Sequence, residues 1–269
     1  MADLSRLSFN QMTAGKASLT EVVESCVKHG VEWIGPWRYS VTSNPAGAAK
    51  LIRDAGLKVS SLCRGGMFPA STKVERQRRI EDNLRAIDEA AAIGTDLLVL
   101  VNGPSPDRDI DAARQMVVDG VAAVVDHATQ CGVRLGVEPL HPMFAADRSV
   151  VVTMGHANEI AAQFAPGQVG LVVDVYHIWW DPQVYAEIER AQERIFAFHV
   201  SDWIVPTPDF LMGRGMMGDG VIEIRRLREA VEKVGYNGPI EVEIFNEALW
   251  ARSADEVVDL TVRRFREVV

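Results

Sequence analysis

The chain switches eight times between a short apolar run and a longer amphipathic stretch, and this alternation limits the possible folds more than any single residue. The apolar runs occupy 7–12, 31–37, 58–64, 96–102, 133–140, 169–177, 195–203 and 239–245. Several are apolar at nearly every position, the pattern of parallel strands covered on both faces. The intervening stretches have helical periodicity. In 18–30, Leu19, Val22, Val23, Cys26 and Val27 recur at three- and four-residue intervals, and Gly30 ends the run. In 44–56, Asn44 is placed to cap, Pro45 takes the first helical position and Gly56 closes the helix. Helix 74–94 aligns Ile80, Leu84, Ile87 and Ala91, and helix 109–132 carries Gly120 in its interior at a cost of about 1 kcal/mol against Ala. Further helices fit 154–164, 181–193, 223–234 and 253–268, the last opened by a Ser253–Glu256 capping box.

Eight strand–helix units in 269 residues are the arithmetic of an α/β protein built as a closed (β/α)8 TIM barrel. An open doubly wound sheet would more often place a GxGxxG loop after its first strand, and LSFNQMTAGKASLT has none. No linker or shift in composition divides the chain, so 1–269 reads as a single TIM-barrel domain. A formal charge of -9 offers no broad basic field, which argues against a nucleic-acid partner. No apolar run approaches the roughly 20 residues of a membrane span, which argues against a membrane partner. Cys26, Cys63 and Cys131 form no CxxC pair and are odd in number, as expected of free thiols in a reducing compartment. The opening MADLSRLSFN has no leader-like apolar core, and the expectation is a soluble cytoplasmic protein.

In such a barrel, reactive groups gather at the carboxyl ends of the strands. The ends of strands five to eight carry Glu138 in GVEPLH, Asp174 and His177 in VVDVYH, His199 in FAFHVSDW, and Glu243 in EVEIF. Burying an unpaired charge is costly, so three carboxylates beside one imidazole call for a cation: Mn²⁺, Mg²⁺ or Co²⁺, with Zn²⁺ also compatible. The competing reading is a set of ion pairs with Arg134 or Arg214 at the barrel mouth, with His199 a core histidine. His177 is placed to bind substrate or metal, and His141, three residues beyond Glu138, to contact a ligand or support the metal site. His29, His127 and His156 fall on helices and read as structural or exposed. Trp37, Trp179, Trp180 and Trp203 lie near strand ends, where they would cover a sugar's apolar face or form subunit contacts. Segment 204–222 is a glycine-rich rim whose Arg214 would anchor a carboxylate, phosphate or hydroxyl. Its GRGMMGDG is no Walker motif, because no GK[ST] follows.

Taken in order, GVEPLHP, the DVYH after LVV, FHVSD, GRGMMGDGVI and EVEIF resemble the xylose isomerase-like barrel superfamily of sugar isomerases and epimerases. The resemblance runs through most of the chain and includes the hydroxypyruvate isomerase-like members and ketose 3-epimerases. It implies one divalent ion, Mn²⁺ first among the candidates, held by Glu138, Asp174, His199 and Glu243. It also implies substrate contacts from His177 and Arg214, joined by His141, Trp37 and Trp179 from the reading above. One of Glu138 and Glu243 would remove a proton alpha to a carbonyl and the other return it, through a metal-stabilised enediolate. A homodimer or homotetramer is implied as well. Two departures stand out. Ketohexose 3-epimerases commonly carry a glutamate where this chain has Phe144, and His141 occupies a place often filled by asparagine. The implied substrate is therefore a keto-sugar derivative, keto-inositol or sugar acid. A lyase, dehydratase or decarboxylase using the same proton abstraction is the nearest alternative. An endonuclease IV-like nuclease would need further histidines where the chain has Gly35-Pro36-Trp37 and Leu62-Cys63-Arg64, and one beside Asp219. A non-catalytic binding barrel would show no metal dependence.

Overall fold

The structure, a computed structural model, describes residues 4–269. Eight parallel strands form the barrel: β1 (Leu7–Asn10), β2 (Trp33–Gly35), β3 (Leu62–Gly66), β4 (Leu97–Val101), β5 (Arg134–Glu138), β6 (Val169–Asp174), β7 (Ile195–Val200) and β8 (Ile240–Val242). Strand β1 pairs with β2 on one side and β8 on the other, with Phe9 opposite Ile34 and Val242. Pairing continues from β8 through β7, β6, β5 and β4 to β3, and a parallel bridge between Trp37 and Cys63 closes the ring. The run 58–64 is not one strand. Lys58–Val59 pairs with β2, and the chain breaks before β3.

Alternation along β4 shows why its run is continuously apolar. Leu97 and Val99 join Cys63, Val172, Phe196 and Ala197 in a cluster inside the barrel, whereas Leu98 and Leu100 belong to the large core beneath the helices. Each face is thus buried against a different layer, and burying one such side chain contributes about 1.5–3 kcal/mol.

Eight main helices surround the strands: α1 (Leu19–Lys28), α2 (Pro45–Asp54), α3 (Lys73–Ile93), α4 (Ile110–Gln130), α5 (Met154–Ala161), α6 (Val184–Ala191), α7 (Ile224–Lys233) and α8 (Ala254–Val268). Their starts follow the caps read from sequence. Asn44 accepts from the Gly47 N–H, and Ser253 with Glu256 closes a capping box. Gly30 and Gly56, just beyond α1 and α2, have φ of 69° and 75°, a left-handed backbone that glycine adopts without a side-chain clash. No helix among the described residues is long and apolar enough to cross a membrane.

Gly120 reverses a propensity argument. From sequence it is a helix-weakening residue that Ala would improve. In the structure, a β-carbon there would lie 2.3 Å from the Phe68 ring, which packs onto α4 from the loop after β3. Gly120→Ala is therefore expected to destabilise the protein by about 1–3 kcal/mol, because overpacking outweighs the gain in helix propensity. Urea unfolding checks this, and a stability increase would show that Phe68 yields freely.

Candidate metal centre

Strand geometry brings the four expected ligands together. Glu138 and Asp174 are the last residues of β5 and β6, and Asp174 lies in register with His199 on β7. His199 is in turn opposite Glu241 on β8, so the two-residue repeat of a strand turns Glu241 and Glu243 to the same side. Ligand atoms of Glu138, Asp174, His199 and Glu243 all lie within 4.8 Å of one another, and all four residues are buried.

The electrostatics of this group are unbalanced. Burial, reinforced by Glu243 and Asp174, holds the Glu138 carboxyl well above the usual carboxylate range. Glu243 is also raised by burial, against the pull of Arg214. Burial works the same way on Asp174, but Arg214, His177 and His199 outweigh it and keep this carboxyl low. Arg214 Nη1 donates to Asp174 Oδ2 at 2.9 Å and to Glu243 Oε2 at 3.3 Å. The ion-pair reading of this arginine is thus realised in the structure, yet one guanidinium offsets one of three carboxylate charges. Both ring nitrogens of His199 are buried without a hydrogen-bond partner. Buried polar atoms are rarely left so, and coordination would satisfy one of them. Three oxygen donors and one imidazole suit a divalent ion, and the chain carries a site for one.

Arg214 is held between the rings of Tyr176 and Phe245, 4.6 and 5.0 Å from their centroids, and its Nη2 lies 3.1 Å from His177 Nε2. His177 sits on a short helical turn (Val175–Ile178) capped by Asp174. Its Nδ1 accepts from the His141 backbone N–H at 3.2 Å. Burial first, with Arg214 adding, pulls the His177 pKa down to about 3 and leaves the ring neutral. The rim segment has its own anchor. Asp202 accepts from the N–H groups of Trp203, Gly218, Gly220 and Ile222 at 2.9–3.0 Å. That explains the FHVSD and GRGMMGDG motifs as two halves of one loop-fastening device, since a β-carbon on Gly220 would lie 2.2 Å from the Trp203 carbonyl oxygen.

Above the cluster is a cavity of about 120 Å³, small even beside the roughly 300 Å³ at which ligand pockets usually begin, so it suits one small molecule. Glu138, Glu243, His177, Arg214 and Trp37 line it, together with Phe144. His141 and Trp179 do not. The His141 ring packs against Trp180 and Trp203 behind His177, and Trp179 packs on Trp203. Sequence reasoning passed over three groups. Arg64 and Arg148 line the cavity, and Glu241 lies inside the barrel, where it accepts from Asn10 at 2.6 Å, Ser60 at 2.7 Å and Ser61 at 3.0 Å. The signal for Glu241 was the EVE spacing, which gives both glutamates one face. Among the histidines set aside, His29 pairs with Asp255 and His127 with Asp88.

Residues 19–267 match the family described as Xylose isomerase-like TIM barrel. The chain belongs to that family. The crystal structure of protein SMc04130 from Sinorhizobium meliloti 1021 superposes at a TM-score of 0.96 with 47% identity, over 99% of each chain. A structure described as IOLI protein with a binding zinc atom superposes at a TM-score of 0.85 over 98% of each chain, at 21% identity. Inosose isomerase from Halalkalibacterium halodurans is 27% identical over 164 residues, 58% of this chain and 55% of that protein. The match thus spans about half the length of that curated relative.

Proposed function

We propose that the protein is a metal-dependent isomerase or epimerase of a keto-sugar, keto-inositol or sugar-acid derivative. The observation that carries this reading is the pair Glu138 and Glu243. They come from strands separated by β6 and β7 in the ring, and both face the one cavity while belonging to the metal-holding group. Two carboxylates reaching a small substrate from different sides of a barrel can take a proton from one carbon and return it to the opposite face or to the neighbouring carbon. Glu138, Asp174, His199 and Glu243 would hold the ion, with Mn²⁺ preferred. The ion, when bound, would offset the negative charge that builds on the substrate oxygens as the proton leaves.

The remaining residues orient the substrate and keep it dry. Neutral His177 and the clamped Arg214 present polar atoms to substrate oxygens, and Trp37, Phe144 and Phe245 form an apolar wall. Phe144 leaves that corner without an acidic partner for a sugar hydroxyl, which favours a modified substrate over a free ketohexose. The inosose isomerase relative supports a keto-inositol among the candidates. Association as a homodimer or homotetramer is supported by Val205 and Phe210, apolar and exposed on the rim. A cytoplasmic site of action is supported by three unpaired cysteines.

Incubating Mn²⁺-loaded protein in D₂O with a panel of keto-sugars, keto-inositols and sugar acids tests the proposal. NMR should show deuterium entering a carbon alpha to the carbonyl with the carbon skeleton intact, and a chelator should stop it. Loss of water or carbon dioxide would move the reaction to a lyase. No exchange with any compound would reject proton transfer at this site.

A further inference from the structure

Two arginines on the cavity wall, Arg64 and Arg148, form no ion pair among the described residues. Arg64 stands on β3 where the register with β4 shifts between Cys63 and Gly65. That irregularity breaks the alternation of the strand and lets Cys63 and Arg64 both reach the cavity. Arg148 enters from the loop after β5, its backbone fixed by the Gly103 N–H, which donates to the Arg148 carbonyl at 2.9 Å. Its guanidinium lies 5.6 Å from the centroid of the Phe144 ring, and its Nε is buried with no partner. Among the described residues, neither side chain makes an ion pair or a hydrogen bond.

Charge counting shows what is missing. Glu138, Asp174 and Glu243 contribute three negative charges, and a divalent ion with Arg214 contributes three positive ones. Arg64 and Arg148 then leave the cavity two charges positive. If Glu241 deeper in the barrel is also counted as ionised, one positive charge remains. A neutral sugar would cover those half-buried guanidiniums and offer them no charged acceptor, an arrangement that costs free energy. Burial disfavours the charged Arg148 guanidinium against the pull of the adjacent Asp147, and Arg64 and Arg214 add like-charge repulsion.

We infer that the substrate carries an oxyanion, a carboxylate or a phosphate, which Arg64 and Arg148 hold while its carbonyl end meets the glutamates. The carbonyl part of this statement rests on the isomerase or epimerase reading; the anion part does not. A planar guanidinium matches either oxyanion with two parallel hydrogen bonds, and two of them would fix which end of the substrate enters first.

Binding of unreactive probes separates the two parts. Sorbitol, gluconate and sorbitol 6-phosphate lack a carbonyl carbon to react, so calorimetry with the Mn²⁺-loaded protein reads recognition alone. One or both anions should bind at least about tenfold more tightly than sorbitol, as expected for a charge-assisted hydrogen bond. Preference for gluconate identifies a carboxylate subsite, and preference for the phosphate ester identifies a phosphate subsite. Arg64→Gln and Arg148→Gln should each remove about tenfold to a hundredfold of that preference while leaving sorbitol affinity unchanged. Chelation of the ion by gluconate would survive both substitutions, so it cannot imitate this result. Equal affinity for the three probes, or a preference that both variants retain, would overturn the inference. Neither outcome depends on whether exchange into substrate occurs in D₂O.

Discussion

Replacing Glu138 by Gln is expected to lower turnover by about a thousandfold or more while leaving the metal-free protein as stable as before, or more so. The activity loss follows from its two proposed tasks, since amide oxygen is a weaker ligand and cannot exchange a proton with the substrate. The stability gain follows from its surroundings. Glu138 is buried among Asp174 and Glu243, and the cation nearest the cluster, Arg214, bonds those two and not Glu138. Removing the carboxylate therefore relieves like-charge repulsion without breaking an arginine or lysine pair, since its basic neighbour is His199 Nδ1 at 3.9 Å. Glu243→Gln should cost comparable activity, but it forfeits the Arg214 contact and so lacks the stability gain. Turnover at saturating Mn²⁺ and thermal unfolding with chelator measure both quantities. If Glu138→Gln kept full activity, the pair of glutamates would not be the proton-transfer machinery. If it strongly destabilised the metal-free protein, the cluster would be a structural network of ion pairs.

What could be read from the sequence divides along a physical line. Strands such as 97–101 were legible because burial on both faces leaves no polar position, and the carboxylates were legible because each interrupts or ends such a run. Helix boundaries were legible where side chains cap them, as at Asn44 and Ser253. The arginines of the cavity were not. Arg64 depends on a register shift between β3 and β4, and Arg148 lies in a loop whose path is fixed by Gly103, 45 residues away, so neither has a local signature. The places of His141 and Trp179 outside the cavity lining were hidden for the converse reason. Nearness in sequence to a strand end places a residue at the mouth of the barrel, but not on the inner side of His177 or Trp203.

The stabilisation conferred by Mn²⁺ is expected to increase with pH. In the metal-free protein Glu138 and Glu243 have raised folded-state pKa values, so between the ordinary value of 4.5 and those raised values the folded protein binds more protons than the unfolded chain. Stability from these groups is then fully present below the unfolded pKa and declines as pH rises through that window. Asp174 acts in the opposite sense. Its lowered pKa contributes stability above the ordinary 3.8 that is lost only as pH falls further, so it does not oppose the glutamates near neutrality. A bound cation requires the carboxylates ionised, and its affinity therefore improves as their protons leave. Free Mn²⁺ at about a thousand times its Kd adds about 4 kcal/mol, which raises the Tm of a chain this size by roughly 10 °C. As pH rises above the ordinary 4.5 and through the raised carboxyl values, the metal-free Tm should fall relative to the loaded one, and the gap should widen. In Glu138→Gln the metal-free slope should flatten, because the most strongly raised carboxyl is gone. A gap that stayed constant with pH in the unmodified protein would mean that the ion does not compete with protons at these carboxylates, and the ligand set would have to be sought elsewhere.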